Sequence, residues 1–192
     1  MVVRAQRRAG RPEREQGLDQ GRTATGPFVD PSLRLEVVAR LPIPSEDEAW
    51  WDDRAVRGAI DLLMASGTAE GLAQAETMTA RWVERRPGPA SWSVRSSVLR
   101  ESARRGLGGL EPTLAALDAA IAFDPCEPRR HLERAEVLVE LGRCDEAVSA
   151  VDEAARLDAQ HELDPLVQLG DRDRRRLADA RAACESDQSA RP

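Results

Sequence analysis

The residues most able to support chemistry lie near the middle of the chain. His131 and Glu133 form an H-x-E pair close to Pro125-Cys126, and zinc-dependent deaminases use parts of this kind. In those enzymes the Pro-Cys follows the histidine and a second cysteine completes P-C-x-x-C. Here the order is reversed and the second cysteine is missing. The pattern therefore does not predict a deaminase.

The other possible metal ligands are equally badly spaced. Among Cys126, His131, Cys144 and His161 there is neither the C-x-x-C nor the H-x₃₋₅-H spacing that structural zinc sites use. With Cys184 the chain has three cysteines, an odd number that does not indicate a disulfide scaffold. Cys144 is better explained as a small apolar residue at a helix contact. We expect no metal site and no other cofactor.

Acidic pairs occur where helices are predicted to start. Asp52 and Asp53, like Asp145 and Glu146, would there interact favourably with the helix dipole, which explains them without catalysis. The chain contains no glycine-rich phosphate loop and no serine-nucleophile motif. The sequence therefore predicts a protein that is not an enzyme.

The basic residues are unusual in type. All 28 are arginine, and lysine, asparagine and tyrosine are absent. The absent residues share AT-rich codons, so a GC-rich genome accounts for the arginines without nucleic-acid binding. Because 34 acidic residues give a net charge of -6, we interpret most arginines as solvated helix surface. We expect no nucleic-acid partner.

Hydrophobic residues make up 41% of the chain, and many of them are alanine. Because strand-forming residues other than valine are scarce, the composition indicates an all-α fold. No segment approaches the roughly 18–20 apolar residues of a membrane span, and the start "MVVRAQRRAGRPEREQG" lacks the apolar core of a secretory signal. We therefore expect a cytoplasmic protein without membrane insertion.

The two ends of the chain differ from its middle. Residues 1–29 are predicted to be a disordered basic tail, and residues 187–192 a disordered end. In the lead-in segment 30–44, alternating apolar residues favour an extended chain, although a proline near its start also permits a short helix. This segment is a strand, a helix or a strap lying in a groove. The helical domain is predicted to cover 45–186.

Glycine and proline divide that domain into helix pairs. Gly67 and Gly142 are predicted to end helices, Thr68 to cap one and Pro128 to begin one. The predicted hairpins cover about 46–85, 91–124 and 128–158, and a closing helix covers about 171–184.

Two of these hairpins align with each other. When 94–127 is placed under 128–161, a shift of 34 residues, Arg95 falls on Arg129, Gly108 on Gly142 and Ala120 on Ala154. A period of 34 residues is that of the tetratricopeptide repeat (TPR). The segment "RAEVLVELGRCDEAVSAVDEAARLDA" resembles one TPR copy, with small residues at Ala135, Gly142, Ala147 and Ala154. The resemblance implies a short right-handed α-solenoid of about three hairpins plus the closing helix.

The resemblance also implies a function. In TPR proteins the first helix of each hairpin lines a concave groove that receives a peptide or protein segment. Carried over by alignment, the groove residues would be Arg95, Val98, Ser102, Arg105, Arg129, Leu132, Glu136 and Val139. The chain is therefore predicted to be a non-catalytic protein-interaction module whose partner is a protein or peptide.

Two further features bear on partners. Trp50 and Trp51 diverge by about 100° on a helix, so one can pack inside while the other makes a secondary contact. The segment "ELDPLVQLGDRDRRRLADARA" resembles the closing part of TPR tails on some bacterial polysaccharide polymerases and ligases. That second resemblance implies an alternative function, as a soluble accessory or regulatory domain of a larger membrane-associated system.

Overall fold

The computed structural model describes residues 53–161, 164 and 167–190, with side chains up to residue 186. Helices α1 to α7 follow one another in these ranges, and no strand occurs among them. Their bounds are Asp53–Ala65, Ala69–Arg85, Pro89–Arg104, Glu111–Phe123, Pro128–Glu140, Cys144–Gln160 and Asp171–Ala190. The prediction of an all-α fold is confirmed. The tail 1–29, the lead-in 30–44, Trp50 and Trp51 lie outside the described residues.

The helix ends follow local sequence signals. The Thr68 hydroxyl accepts a hydrogen bond from the Gly71 amide at 3.0 Å and so caps α2. Pro89 and Pro128 are the first residues of α3 and α5, where a missing amide proton costs nothing. Gly142 separates α5 from α6 with a φ of 72°, a left-handed conformation that suits glycine.

Two glycine substitutions should have opposite effects on stability. Gly142→Ala should lower the free energy of unfolding by about 1 kcal/mol, because a Cβ disfavours the left-handed conformation. Gly58→Ala should raise it by about 0.5–1 kcal/mol, since Gly58 lies inside α1 and nothing lies within 4 Å of an added Cβ. Urea unfolding followed by circular dichroism measures both. Equal effects of the two changes would contradict this account of the turn.

The turn in the second hairpin differs from the aligned prediction. Alignment with Gly142 gives Gly108 the equivalent place, whereas the left-handed glycine between α3 and α4 is Gly106, with a φ of 72°. It follows α3 directly after Arg105, and four more residues precede α4. The longer connection explains why a fixed shift of 34 residues misplaces the turn.

Sequence neighbours among the helices pack against each other, and α7 contacts both α5 and α6. One apolar cluster joins α1, α2 and α3 around Ile60, Trp82 and Val98. A second joins α4 to α7 and includes Leu138 and Cys184. The burial of an apolar stripe from each helix is the main source of stability.

Alanines are buried where α5 packs against α6. Ala135 on α5 and Ala147 and Ala154 on α6 are all 0% exposed, as expected for residues that let two helices approach closely. Cys144 is 8% exposed and packs in the second cluster, which confirms the prediction of an apolar role.

The last helix is longer than predicted. We expected a closing helix at about 171–184 and a disordered end at 187–192, but α7 continues to Ala190. No glycine or proline interrupts residues 171–190, so nothing in the local sequence stops the helix at residue 184.

Candidate functional site

A cleft of about 790 Å³ is lined by α3, α5 and α7. Its charged walls combine arginines with carboxylates, and its apolar residues are small. The arginines are Arg100, Arg104, Arg129, Arg172 and Arg176; the carboxylates are Glu136, Glu140, Asp173 and Asp179; the apolar residues are Val139, Ala180 and Ala183.

A shared carboxylate lies at the centre of this cleft. Glu136 on α5 accepts a hydrogen bond from Arg100 of α3 at 2.7 Å and two from Arg176 of α7 at 2.7 and 2.8 Å. Arg100 also donates to Glu140 at 2.5 Å, and Arg176 to Asp173 at 2.8 Å. The network therefore ties α3 and α7 to α5.

These contacts are shielded from water. The side chains of Arg100 and Glu136 are only 14% and 17% exposed. Burial opposes ionisation of Glu136, but the hydrogen bonds from Arg176 and Arg100 outweigh it and hold the pKa of Glu136 below its usual value. Glu136 is therefore a carboxylate that its neighbours keep charged.

Three arginines at the rim are less well satisfied, and we call them the rim arginines: Arg104, Arg129 and Arg172. Arg104 lies 3.9 Å from Glu140, which Arg100 already binds closely. Arg129, on the other side, lies 3.6 Å from Asp173, and its side chain is 54% exposed. Arg172 is exposed and makes no ion pair with any residue that the structure describes. The rim therefore carries positive charge that is open to an external anion.

A smaller cavity of about 250 Å³ adjoins the cleft, and we call it the inner pocket. Arg100, Arg104 and Arg176 line both spaces, while Glu133 of α5 and Thr113 of α4 line only the inner pocket. Burial raises the pKa of Glu133, although the nearby Arg176 opposes this shift. Glu133 thus differs from Glu136, which lies one helical turn away on α5.

Glu133→Gln should stabilise the protein by about 1 kcal/mol near neutral pH, because it removes a partly desolvated charge. Since the pKa of Glu133 is raised on folding, its ionisation costs stability as the pH rises from 4.5 through the folded value. The gain from the substitution should therefore grow over that range. Urea unfolding at several pH values measures it. Glu84→Gln, at an exposed position on α2, is the matched control, and a loss of stability in Glu133→Gln would contradict the prediction.

The predicted groove residues fall into two groups. Arg129, Glu136 and Val139 line the cleft, whereas Val98, Leu132 and Ser102 are 0%, 0% and 1% exposed. The prediction that Val98, Leu132 and Ser102 line an open groove is therefore wrong, because all three are buried.

Their burial has a direct cause in the packing. Val98 packs against the α1–α2 pair, and Leu132 clusters with Ala154 of α6 and Leu169. Val98 and Leu132 therefore face neighbouring helices and not the cleft.

The two remaining predicted residues lie away from the cleft walls. Arg105 donates to Glu101 at 2.7 Å and to the carbonyl of Gly67, so it joins the end of α3 to the α1–α2 turn. Arg95 is half-buried, and its buried Nη1 has no hydrogen-bond partner among the described residues. Neither side chain lines the cleft.

Several cleft residues were not predicted from the sequence. Arg100 and Arg104 are one helical turn apart on α3, and Arg172 and Arg176 are similarly spaced on α7. This spacing was a usable signal that each pair shares a helix face. The spacing did not reveal that the arginine-bearing faces of α3 and α7 meet across α5.

Within the described ranges, no group of three or more His, Cys, Asp or Glu residues is placed to hold a metal ion. None of the helices that the structure describes is long and apolar enough to cross a membrane.

No protein-family model matches the chain. No curated protein is significantly similar to it in sequence either. Functional assignment therefore depends on the geometry of the cleft.

Proposed function

We propose that this protein is a non-catalytic interaction module, similar in plan to TPR proteins, which binds an extended acidic segment of a partner protein in the cleft. The observation that carries the proposal is the set of rim arginines on α3, α5 and α7. Their hydrogen-bonding capacity is incompletely used by the cleft's own carboxylates.

A guanidinium has five N–H donors in a planar fork and binds a carboxylate through two parallel hydrogen bonds. The long contacts of Arg104 and Arg129 end on carboxylates that already have closer partners. A partner's aspartate or glutamate can therefore replace them at little cost. Between the charged walls, Val139, Ala180 and Ala183 offer small apolar contacts to the partner's backbone.

The chemistry of the lining favours binding over catalysis. Among the described residues that line the cleft there is no serine, threonine, cysteine, histidine or lysine to act as a nucleophile. The central carboxylate, Glu136, accepts from two arginines and has a lowered pKa, so it is a poor general base.

The proposal is tested by selecting peptides from a random displayed library on the immobilised full chain. Aspartate and glutamate should be enriched. The selected peptides should bind an Arg129→Glu/Arg172→Glu variant at least about tenfold more weakly, a loss of roughly 1.4 kcal/mol, because like charges then face each other. Fluorescence anisotropy with a selected peptide measures the difference.

Arg57→Glu/Arg81→Glu is the matched control, because these exposed arginines lie on α1 and α2 away from the cleft. It should leave affinity unchanged, and circular dichroism should show that both variants remain helical. The proposal fails if acidic residues are not enriched, or if the rim variant binds as well as the control.

A further inference from the structure

The rim arginines lie at two separate ends of the cleft. Arg129, the second residue of α5, lies 3.6 Å from Asp173 of α7, and Arg172 precedes that aspartate in the chain. Glu140, the last residue of α5, lies 3.9 Å from Arg104 of α3. The first positive end is therefore formed by α5 and α7, and the second by α3.

The distance between these ends corresponds to a definite length of chain. Glu140 follows Arg129 by eleven positions on α5. Because a helix rises about 1.5 Å per residue, the two ends are about 16 Å apart. An extended chain advances about 3.3 Å per residue, so about five residues span that distance. Two acidic residues five positions apart can therefore reach both ends of the cleft.

The charge of the α7 wall changes sign along the cleft. α7 runs in the same direction as α5, because Asp173 lies near the start of α5, whereas Arg176 binds Glu136 further along. Asp179 follows Arg176 by nearly one helical turn and lines the cleft towards the second end, where it would repel an acidic side chain. A partner carboxylate at the second end must therefore turn towards α3.

An extended segment with this spacing satisfies both requirements. α3 and α7 form opposite walls, because an arginine from each binds Glu136 of α5. Successive side chains of an extended chain point to opposite sides, so residues five positions apart face opposite walls. The first carboxylate then faces Arg129 and Arg172, and the second faces Arg104. The residues between them pass the Glu136 carboxylate, which is 17% exposed and would repel further acidic side chains.

We infer that the cleft selects a segment with two separated carboxylates, at positions i and i+5 of an extended chain, with uncharged residues between them. This inference rests on the proposed function and adds the spacing that the partner's acidic residues need. The two ends bind one segment together, so the second contact benefits from the high effective concentration that the first creates. Affinity should therefore depend on the order of the residues and not on net charge alone.

The test uses three short peptides of equal length and composition, each with two glutamates in a glycine–serine background. The glutamates stand at i and i+2, at i and i+5, or at i and i+8. Each peptide is titrated into the isotopically labelled full chain and followed by amide chemical shifts. The i,i+5 peptide should bind at least about fivefold more tightly than either isomer, because only this peptide makes charge-assisted hydrogen bonds at both ends.

A substitution at the second end provides an independent check. Arg104→Gln should abolish the preference for the i,i+5 peptide, since only the first positive end remains. Arg57→Gln, an equal change at an exposed position of α1 away from the cleft, should preserve it. Circular dichroism should show that both variants remain helical.

The inference is overturned by equal affinities of the three peptides, by tighter binding of the i,i+2 or i,i+8 isomer, or by the absence of a saturable shift with any of them. A preference that survives in Arg104→Gln also overturns it. The comparison of isomers needs no variant and stays decisive if Arg104→Gln does not fold. Equal affinities would leave the enrichment of acidic peptides unaffected, whereas an i,i+5 preference without that enrichment would remove only the proposed function.

Discussion

Glu136→Ala should lower the free energy of unfolding by about 2–3 kcal/mol, the largest effect expected for any charged residue of the cleft. The substitution removes one carboxylate but leaves two guanidinium groups without their main acceptor. Arg100, with a side chain only 14% exposed, cannot regain full hydration, whereas Arg176 is 36% exposed and is partly compensated by water. For this reason we place the cost below that of breaking a fully buried ion pair.

The effect should depend on pH in a defined direction. The pKa of Glu136 is lower in the folded protein than its ordinary value of 4.5, so its stabilisation is complete above that value. It is lost as the pH falls through the lower folded value, where the difference between wild type and variant should disappear. Urea unfolding at a series of pH values measures this difference.

Glu153→Ala is the matched control for Glu136→Ala. Glu153 also binds an arginine, Arg156 at 2.5 Å, but the pair lies on one exposed helix face of α6. Its removal should change stability much less. Equal losses in the two variants would show that the shared carboxylate has no special role.

Ala154→Leu should destabilise the protein by about 2–3 kcal/mol. Ala154 is 0% exposed on α6 and packs against Leu132 of α5 and Leu169. A leucine at this position has to push α5 and α6 apart or adopt a strained rotamer, since the contact has no room for three more carbon atoms. Thermal and urea unfolding of the purified variant measure the loss.

The neighbouring residue provides the control. Ala155→Leu makes the same chemical change one residue later, at an exposed position of the same helix. Because leucine and alanine both favour helices, this variant should remain close to wild type. If Ala154→Leu were as stable as Ala155→Leu, the close approach of α5 and α6 would not depend on alanine.

The helix boundaries could be predicted because their signals are local. Thr68 caps its helix within the next three residues, and the glycine at 142 and the proline at 128 act on their own backbone. The prediction that the last helix ends near residue 184 was wrong. A helix without a glycine or proline breaker has no local signal for its last residue.

The cleft could be predicted only in part. Arg129, Glu136 and Val139 were placed by alignment with a repeat pattern, which records which helix face is open. The alignment could not show that Val98 and Leu132 are buried, because buried and open positions are adjacent on a helix. The pairing of Arg100 with Glu136 joins residues 36 positions apart, and no local pattern in a single sequence specifies such a partner.

The carboxylate shared by Arg100 and Arg176 also has a consequence for cooperativity. When adjacent units of a helical array touch only through apolar faces, each end can fray independently of the other. Here the opening of α3 would leave Glu136 with one arginine, and the opening of α7 would leave it with the other. The stabilities of α3 and α7 are therefore thermodynamically linked through one side chain on α5. A partner that immobilises α7 should consequently slow amide hydrogen exchange in α3.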